Sequence, residues 1–292
     1  MKTRVILQGG LGNQLFQWSF GHYLSSFGHE IELLFLTQEY ELEHANISLG
    51  KLIRKCEHVS YREKKIPPSR ILRLASDPSH PKYIFRNFPG VLLDTRGKPN
   101  GSPKTEVLSL KKYLVGGFQN WWQVKENESD LRQEIFSALM KVKSSDLEIP
   151  LENREIIHVR RGDTAQAMYS DTLGVLSRKY YEKMCHSLTS KPVILTDDVA
   201  VTQKLFLGLE IDEIYGPDHL NAYQALRVMS KAKTLYTANS TLSWWGGFLA
   251  ISKSARVYTP KPFFRNPNIF SDEALEFPEF SRQRADWQDF LS

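Results

Sequence analysis

His158, Arg160, Arg161 and Asp163 fall in one short run, His158-Val159-Arg160-Arg161-Gly162-Asp163, directly after the apolar pair Ile156-Ile157. A guanidinium carries a fixed charge and a planar fork of donors that matches two phosphate oxygens at once. Two of them where a buried strand stops are placed for a diphosphate, because open α/β sheets bind ligands beyond the carboxyl ends of their strands. The alternative is a solvated turn whose arginines pair with neighbouring carboxylates.

Three more junctions carry side chains of suitable type. Thr196-Asp197-Asp198 follows the apolar run at 193–195. A carboxylate there can accept from purine N–H groups or ribose hydroxyls, whereas the residue just before a helix serves as its N-cap. The pair therefore divides, Asp197 for a ligand and Asp198 for the cap. Asn239, Ser240 and Thr241 precede an apolar helix-length run, so their hydroxyls and amides stand where a helix amino terminus binds phosphate. Trp244-Trp245 read as core, and Gly246-Gly247 as a place of close approach. Near the start, Gly9-Gly10-Leu11-Gly12-Asn13-Gln14 offers two amides, Asn13 and Gln14, able to hold hydroxyls; Asn13 is also a candidate helix cap. The glycine spacing meets the dinucleotide fingerprint only loosely, and no acid closes the second strand, since Glu39 comes late. Together the junctions describe a nucleoside-diphosphate site: guanidiniums for the diphosphate, a carboxylate for base or ribose, a helix terminus for phosphate.

Strands and helices must hold these loops in place. The first half predicts a strand at 4–8, a helix at 13–26 stopped by Gly28, a strand at 31–36, a strand at 110–118 and a helix at 129–142. The second half alternates more regularly, with strands at 156–159, 193–195, 211–215, 234–237 and 256–258. Helices are expected between them at 177–188, 199–207, 220–230 and 243–251. Such alternation predicts βαβ units on parallel sheets, and hence two domains, 1–145 and 151–292, joined by a linker at 143–150. A length of 292 residues suffices for two cores.

Composition bounds the rest. Hydrophobic residues at 41% and charged residues at 24% exclude a disordered or fibrous chain. Cys56 and Cys185 lie far apart, which fits a reducing compartment better than a disulfide scaffold. The apolar start Val5-Ile6-Leu7 is too short for a signal peptide. The net charge of +5 is local: residues 51–90 hold ten Lys and Arg against three acids. That block could meet an anionic membrane surface or anionic substrates, or be a solvated basic face; no nucleic-acid motif accompanies it, and no nucleic-acid partner is expected.

The four motifs, together with Leu15-Phe16-Gln17 and Met229-Ser230, occur in the order found in bacterial α1,2-fucosyltransferases of glycosyltransferase family 11, which the chain resembles from residue 4 to about residue 252. The resemblance implies an α/β GT-B fold, two Rossmann-like domains facing a central cleft, with the acceptor side in 1–145 and the donor side in 151–292. It implies transfer of L-fucose from GDP-β-L-fucose, with inversion and without a metal or other cofactor, to O2 of a terminal galactose on an oligosaccharide or lipid-linked glycan. The setting would be O-antigen or surface polysaccharide synthesis in the bacterial cytoplasm, with the basic block at the inner membrane. By the same likeness His158 and Asp197 would contact guanosine, Arg160 the β-phosphate, Ser240 and Thr241 phosphate beside Asn239, and Asn13 with Gln14 the fucose and acceptor. Asp163 is the candidate general base, and could equally be an intraloop partner of Arg161. Two departures bear on acceptor choice: Thr164 replaces the family's usual aromatic, and Ala225 its usual acid. Outside the resemblance, a Rossmann NAD(P) oxidoreductase and a non-catalytic sugar-binding module remain alternatives.

Overall fold

The computed structural model describes residues 2–37, 59–65, 91–93, 113–141, 152–162, 165, 170–266 and 272–289. The chain divides into two compact units, Met1–Ala138 with Glu273–Leu275, and Leu139–Asp272 with Glu276–Ser292. Each is built on a parallel sheet, so the α/β class expected from alternation holds.

In the first unit, β1 (Lys2–Leu7), α1 (Leu11–Ser25), β2 (Glu30–Thr37), β3 (Val59–Lys65), β4 (Val91–Leu93) and β5 (Tyr113–Val115) form a sheet ordered β3-β2-β1-β5-β4. Helices α2 (Trp121–Glu126) and α3 (Glu128–Lys141) follow. Helix α1 is amphipathic only weakly: Leu15, Phe16, Trp18, Phe20 and Leu24 are all fully buried. The Phe20 ring stacks on Phe118 with centroids 4.1 Å apart. After α1 the backbone turns at Gly28 (φ +82°), where the amides of Gly28 and His29 donate back to Ser25 and Leu24. These are the two bonds of a glycine C-cap, so the stop expected there is real.

In the second unit, β6 (Glu155–Val159), α4 (Arg178–Ser187), β7 (Val193–Thr196), α5 (Val199–Leu205), β8 (Ile214–Tyr215), α6 (Ala222–Met229), β9 (Thr234–Tyr236), α7 (Thr241–Ile251), β10 (Arg256–Lys261) and β11 (Ser281–Arg284) give the order β11-β10-β9-β6-β7-β8. Every residue of β6 is buried, as a central parallel strand covered on both faces requires. One face packs Ile157, Val159, Tyr180, Tyr181, Met184 and Ile194 into a single cluster. On α7, Trp244 and Trp245 are fully buried, and Trp244 meets the rings of Phe248, Phe277 and Phe280. The tryptophan pair is core, as read.

The differences are local. Helix α1 begins two residues earlier than expected, at Leu11, because Gly10 supplies the extended N-cap backbone. Asn13 is therefore inside the first turn and does not cap it. Strand β8 shrinks to two residues, and β11 joins the sheet edge where no strand was expected. The supposed linker at 143–150 and most of the 51–90 block lie outside the described residues.

Candidate functional site

Strand order locates the site within each unit. In the second sheet the chain runs from β6 outward through β7 to β8, then returns to β9 on the other side of β6. Such a reversal opens a crevice between the carboxyl ends of the two flanking strands. The loop after β6 carries Arg160–Gly162, and the loop after β9 carries Asn239 and Ser240. Register adds the third loop: Val159 pairs with Thr196, so Asp197 stands beside the start of the arginine loop.

The two arginines differ in burial. Arg161 is buried, with Nη1 donating to Gln288 Oε1 (2.7 Å) and Nη2 to the Leu176 carbonyl (2.6 Å). Arg160 is only half-buried. Asp197 accepts from the Arg161 amide (2.6 Å) through one carboxylate oxygen and from the Gly162 amide (3.1 Å) through the other. Beside the ligand role expected of it, Asp197 has a structural one: the carboxylate fastens the arginine loop, because register sets it against that loop's backbone. Asp198 caps α5 through the Val201 amide at 3.0 Å, as expected.

His158 is buried at the end of β6, and its Nδ1 has no hydrogen-bond partner among the described residues. Burial, reinforced by the charge of Arg160, pulls its pKa from 6.5 down to about 3, so the ring is neutral. Ser240 is the N-cap residue of α7, yet its hydroxyl makes no capping bond. Thr241 begins the helix and is half-buried. Asn239, expected among the donor-binding residues, is engaged through its side-chain nitrogen. Its side-chain amide donates to the carbonyls of Leu173 and Gly174, both at 3.0 Å, and so holds a neighbouring loop. Asp163 and Thr164 lie outside the described residues.

The first unit has a comparable crevice, where β1 is flanked by β2 and β5. Gly9 takes a positive φ of +75°, and a Cβ there would stand 2.6 Å from Asn13 Nδ2. Asn13 Oδ1 accepts from Gln119 Nε2 at 3.0 Å. Gln14, expected to meet the acceptor, is instead fully buried and donates to the Gly9 carbonyl. It braces the turn from inside, because α1 starts early enough to rotate it toward the core. Gln17 does similar work, linking Gln8 to the Gly116 carbonyl across the crevice. Sequence reading missed Gln119, and it held Gln17 only as part of a motif, with no role. The signal available for Gln119 was Gly116-Gly117 after a strand, the same punctuation as Gly9-Gly10.

Among the described residues no three His, Cys, Asp or Glu side chains are grouped so as to hold a metal ion. No helix among them is long and apolar enough to cross a membrane.

Two parallel-sheet units, each with a loop crevice at the point where strand order reverses, are the components of the GT-B class of glycosyltransferases. The chain belongs to glycosyl transferase family 11, whose family model matches residues 2–274. It is 24% identical over 295 residues to the O-antigen biosynthesis glycosyltransferase WbnK of Escherichia coli, covering 90% of this chain and 95% of that protein. It is 26% identical over 279 residues to an alpha-1,2-colitosyltransferase of Escherichia coli, covering 91% and 93%. Among solved structures, E. coli ADP-heptose lps heptosyltransferase II is similar at a TM-score of 0.49 and 12% identity, over 97% of this chain and 90% of that one. Family membership sets aside the Rossmann oxidoreductase and argues against a sugar-binding module without catalysis.

Proposed function

We propose that this chain transfers L-fucose from GDP-β-L-fucose, with inversion and without a metal, to O2 of a terminal galactose in the assembly of an O-antigen or similar surface glycan. The observation that carries the reading is the division of labour at the end of β6. Arg161 holds the loop through buried hydrogen bonds, and the half-buried Arg160 beside it is assigned to the diphosphate. As the glycosidic bond to GDP breaks, charge builds on the β-phosphate. A preorganised guanidinium stabilises that charge more than it stabilises the bound donor. The uncommitted Ser240 hydroxyl and the first amides of α7 supply further donors for phosphate. Neutral His158 can exchange hydrogen bonds with the guanosine without adding charge. Asn13, in the first unit, is assigned to the sugar and acceptor side, and Asp163 to accepting the acceptor's proton as general base. The acceptor would be an oligosaccharide or lipid-linked glycan, with the basic 51–90 block at the cytosolic face of the inner membrane.

The test is selective stabilisation and turnover. GDP should raise the melting temperature where ADP and UDP do not, and turnover with GDP-fucose should survive a chelator and yield an α1,2 linkage. Equal stabilisation by UDP would remove the donor assignment. A second donor, GDP-activated colitose, is favoured by the 26% relative. Colitose lacks one ring hydroxyl of fucose, so the ratio of kcat/KM for the two donors separates the readings.

A further inference from the structure

The segment at 285–289 lies beyond the residues that the family model matches, yet it is fastened into the arginine loop. Gln288 is held at three points. Its amide donates to the Val175 carbonyl (2.8 Å), its carbonyl accepts from Arg265 Nη1 (2.8 Å), and its Oε1 accepts from buried Arg161 Nη1 (2.7 Å). The partners are fixed in turn. Leu176 bridges Trp287, the Ser177 amide donates to Asp286, and Arg265 donates its own amide to Leu173. Gly174 takes φ +79° between Arg265 and Trp287, where an added Cβ would stand 2.6 Å from Arg265 Cβ. The strap thus has one register and presents one acceptor to Arg161.

Arg161 is consequently held by its side chain through Gln288 and Leu176, and by its backbone through Asp197. Arg160 is the adjacent residue. We infer that Gln288 is a positioning residue for the transfer reaction, acting through Arg161 to fix the loop that presents Arg160 to the donor diphosphate. This rests on the proposed GDP-sugar function for its catalytic consequence, but not for the brace itself. Gln288 and Arg161 both line an open pocket of about 380 Å³ with Arg178, Val201, Lys204 and Leu205. Water in that pocket can solvate Arg161 Nη1 when the amide is lost, so removing the acceptor loosens the loop without stranding a buried charge.

The experiment compares Gln288→Leu, which keeps the bulk and loses the acceptor, with Gln288→Glu, which keeps an acceptor for Arg161. Three quantities are read: kcat and KM for GDP-fucose, melting temperature, and hydrogen exchange at the Arg161 and Gly162 amides. Gln288→Leu should exchange those two amides faster and lower kcat on the order of 10–100-fold, as a small misplacement of a reacting group does. Its melting temperature should stay near that of the parent, and Gln288→Glu should recover most of kcat. Unchanged exchange in Gln288→Leu overturns the brace. Losses in both variants that simply track melting temperature reduce Gln288 to a structural residue. If the parent chain transfers no sugar from any GDP donor, the proposed function fails, while amide exchange still decides whether Gln288 holds the loop.

Discussion

At the level of single residues, two neighbouring arginines of identical chemistry differ in burial: Arg161 is buried and holds the loop, and the half-buried Arg160 is the one proposed to meet the diphosphate. Arg160→Ala should abolish at least about 99% of turnover, since a preorganised charged donor contributes about 2.7–4 kcal/mol to a transition state. Its melting temperature should fall less than that of Arg161→Ala. Arg161→Ala removes a buried guanidinium and leaves the buried Leu176 carbonyl without its charged donor, at about 1.5–3 kcal/mol. It should therefore lower the melting temperature by several degrees in calorimetry as well as slow transfer. His158 provides a pH signature. Its folded pKa of about 3 lies below its ordinary 6.5, so the unfolded chain takes up more protons between those values. The stabilisation is complete above pH 6.5 and is lost as pH falls toward 3. Denaturant titrations of the parent and of His158→Gln should differ by a slope of about 1.4 kcal/mol per pH unit between pH 6 and 4, the parent being the more acid-sensitive. A pH-independent difference would mean that His158 is protonated in the folded chain. At this scale the side-chain types were legible in the sequence but their assignments were not. Asp197, Asn239 and Gln14 have the chemistry of ligands, and backbone groups from elsewhere in their own unit claim them first.

At the level of elements, the carboxyl ends of β6 and β9 are the positions that matter, and close packing behind them keeps those ends in place. Helix α7 meets Met229 of α6 at Gly246, where an added Cβ would stand 2.6 Å from Met229 Cβ. Gly246→Ala should therefore destabilise the chain by about 1–3 kcal/mol, the usual cost of overpacking, measured by urea unfolding. Turnover of the folded fraction should fall as well, because α7 carries Ser240 and Thr241 at its start. Wild-type stability in this variant would show that the helices separate without cost. The alternation of strands and helices in 151–292 was readable because buried parallel strands are short apolar runs. Strand β11 was not, since Ser281-Arg282-Gln283-Arg284 pairs with β10 at the sheet edge and leaves mostly exposed side chains. An edge strand of that kind leaves no apolar pattern to read.

At the level of the whole molecule, the chain is two parallel-sheet units of one enzyme family, and ligand linkage gives the global test. A nucleotide that binds only the folded chain stabilises it by about 2.7 kcal/mol at one hundred times its Kd. In a chain of this size that corresponds to several degrees. The shift should appear with GDP and disappear in Arg160→Ala, whereas a shift that persists in the variant would place the nucleotide away from β6.

The amino-acid sequence by itself determined the class of fold, the order of the four motifs and the family. Those rest on local periodicity and on short runs that keep their character wherever they are placed. Only the tertiary structure decided which motif residues hold the loops. The parallel register puts Asp197 against the Arg161 backbone, and residues 285–288 reach back more than a hundred positions to hold Arg161. Hydrogen bonds between such distant residues leave no local pattern, and they separate Arg160 from Arg161.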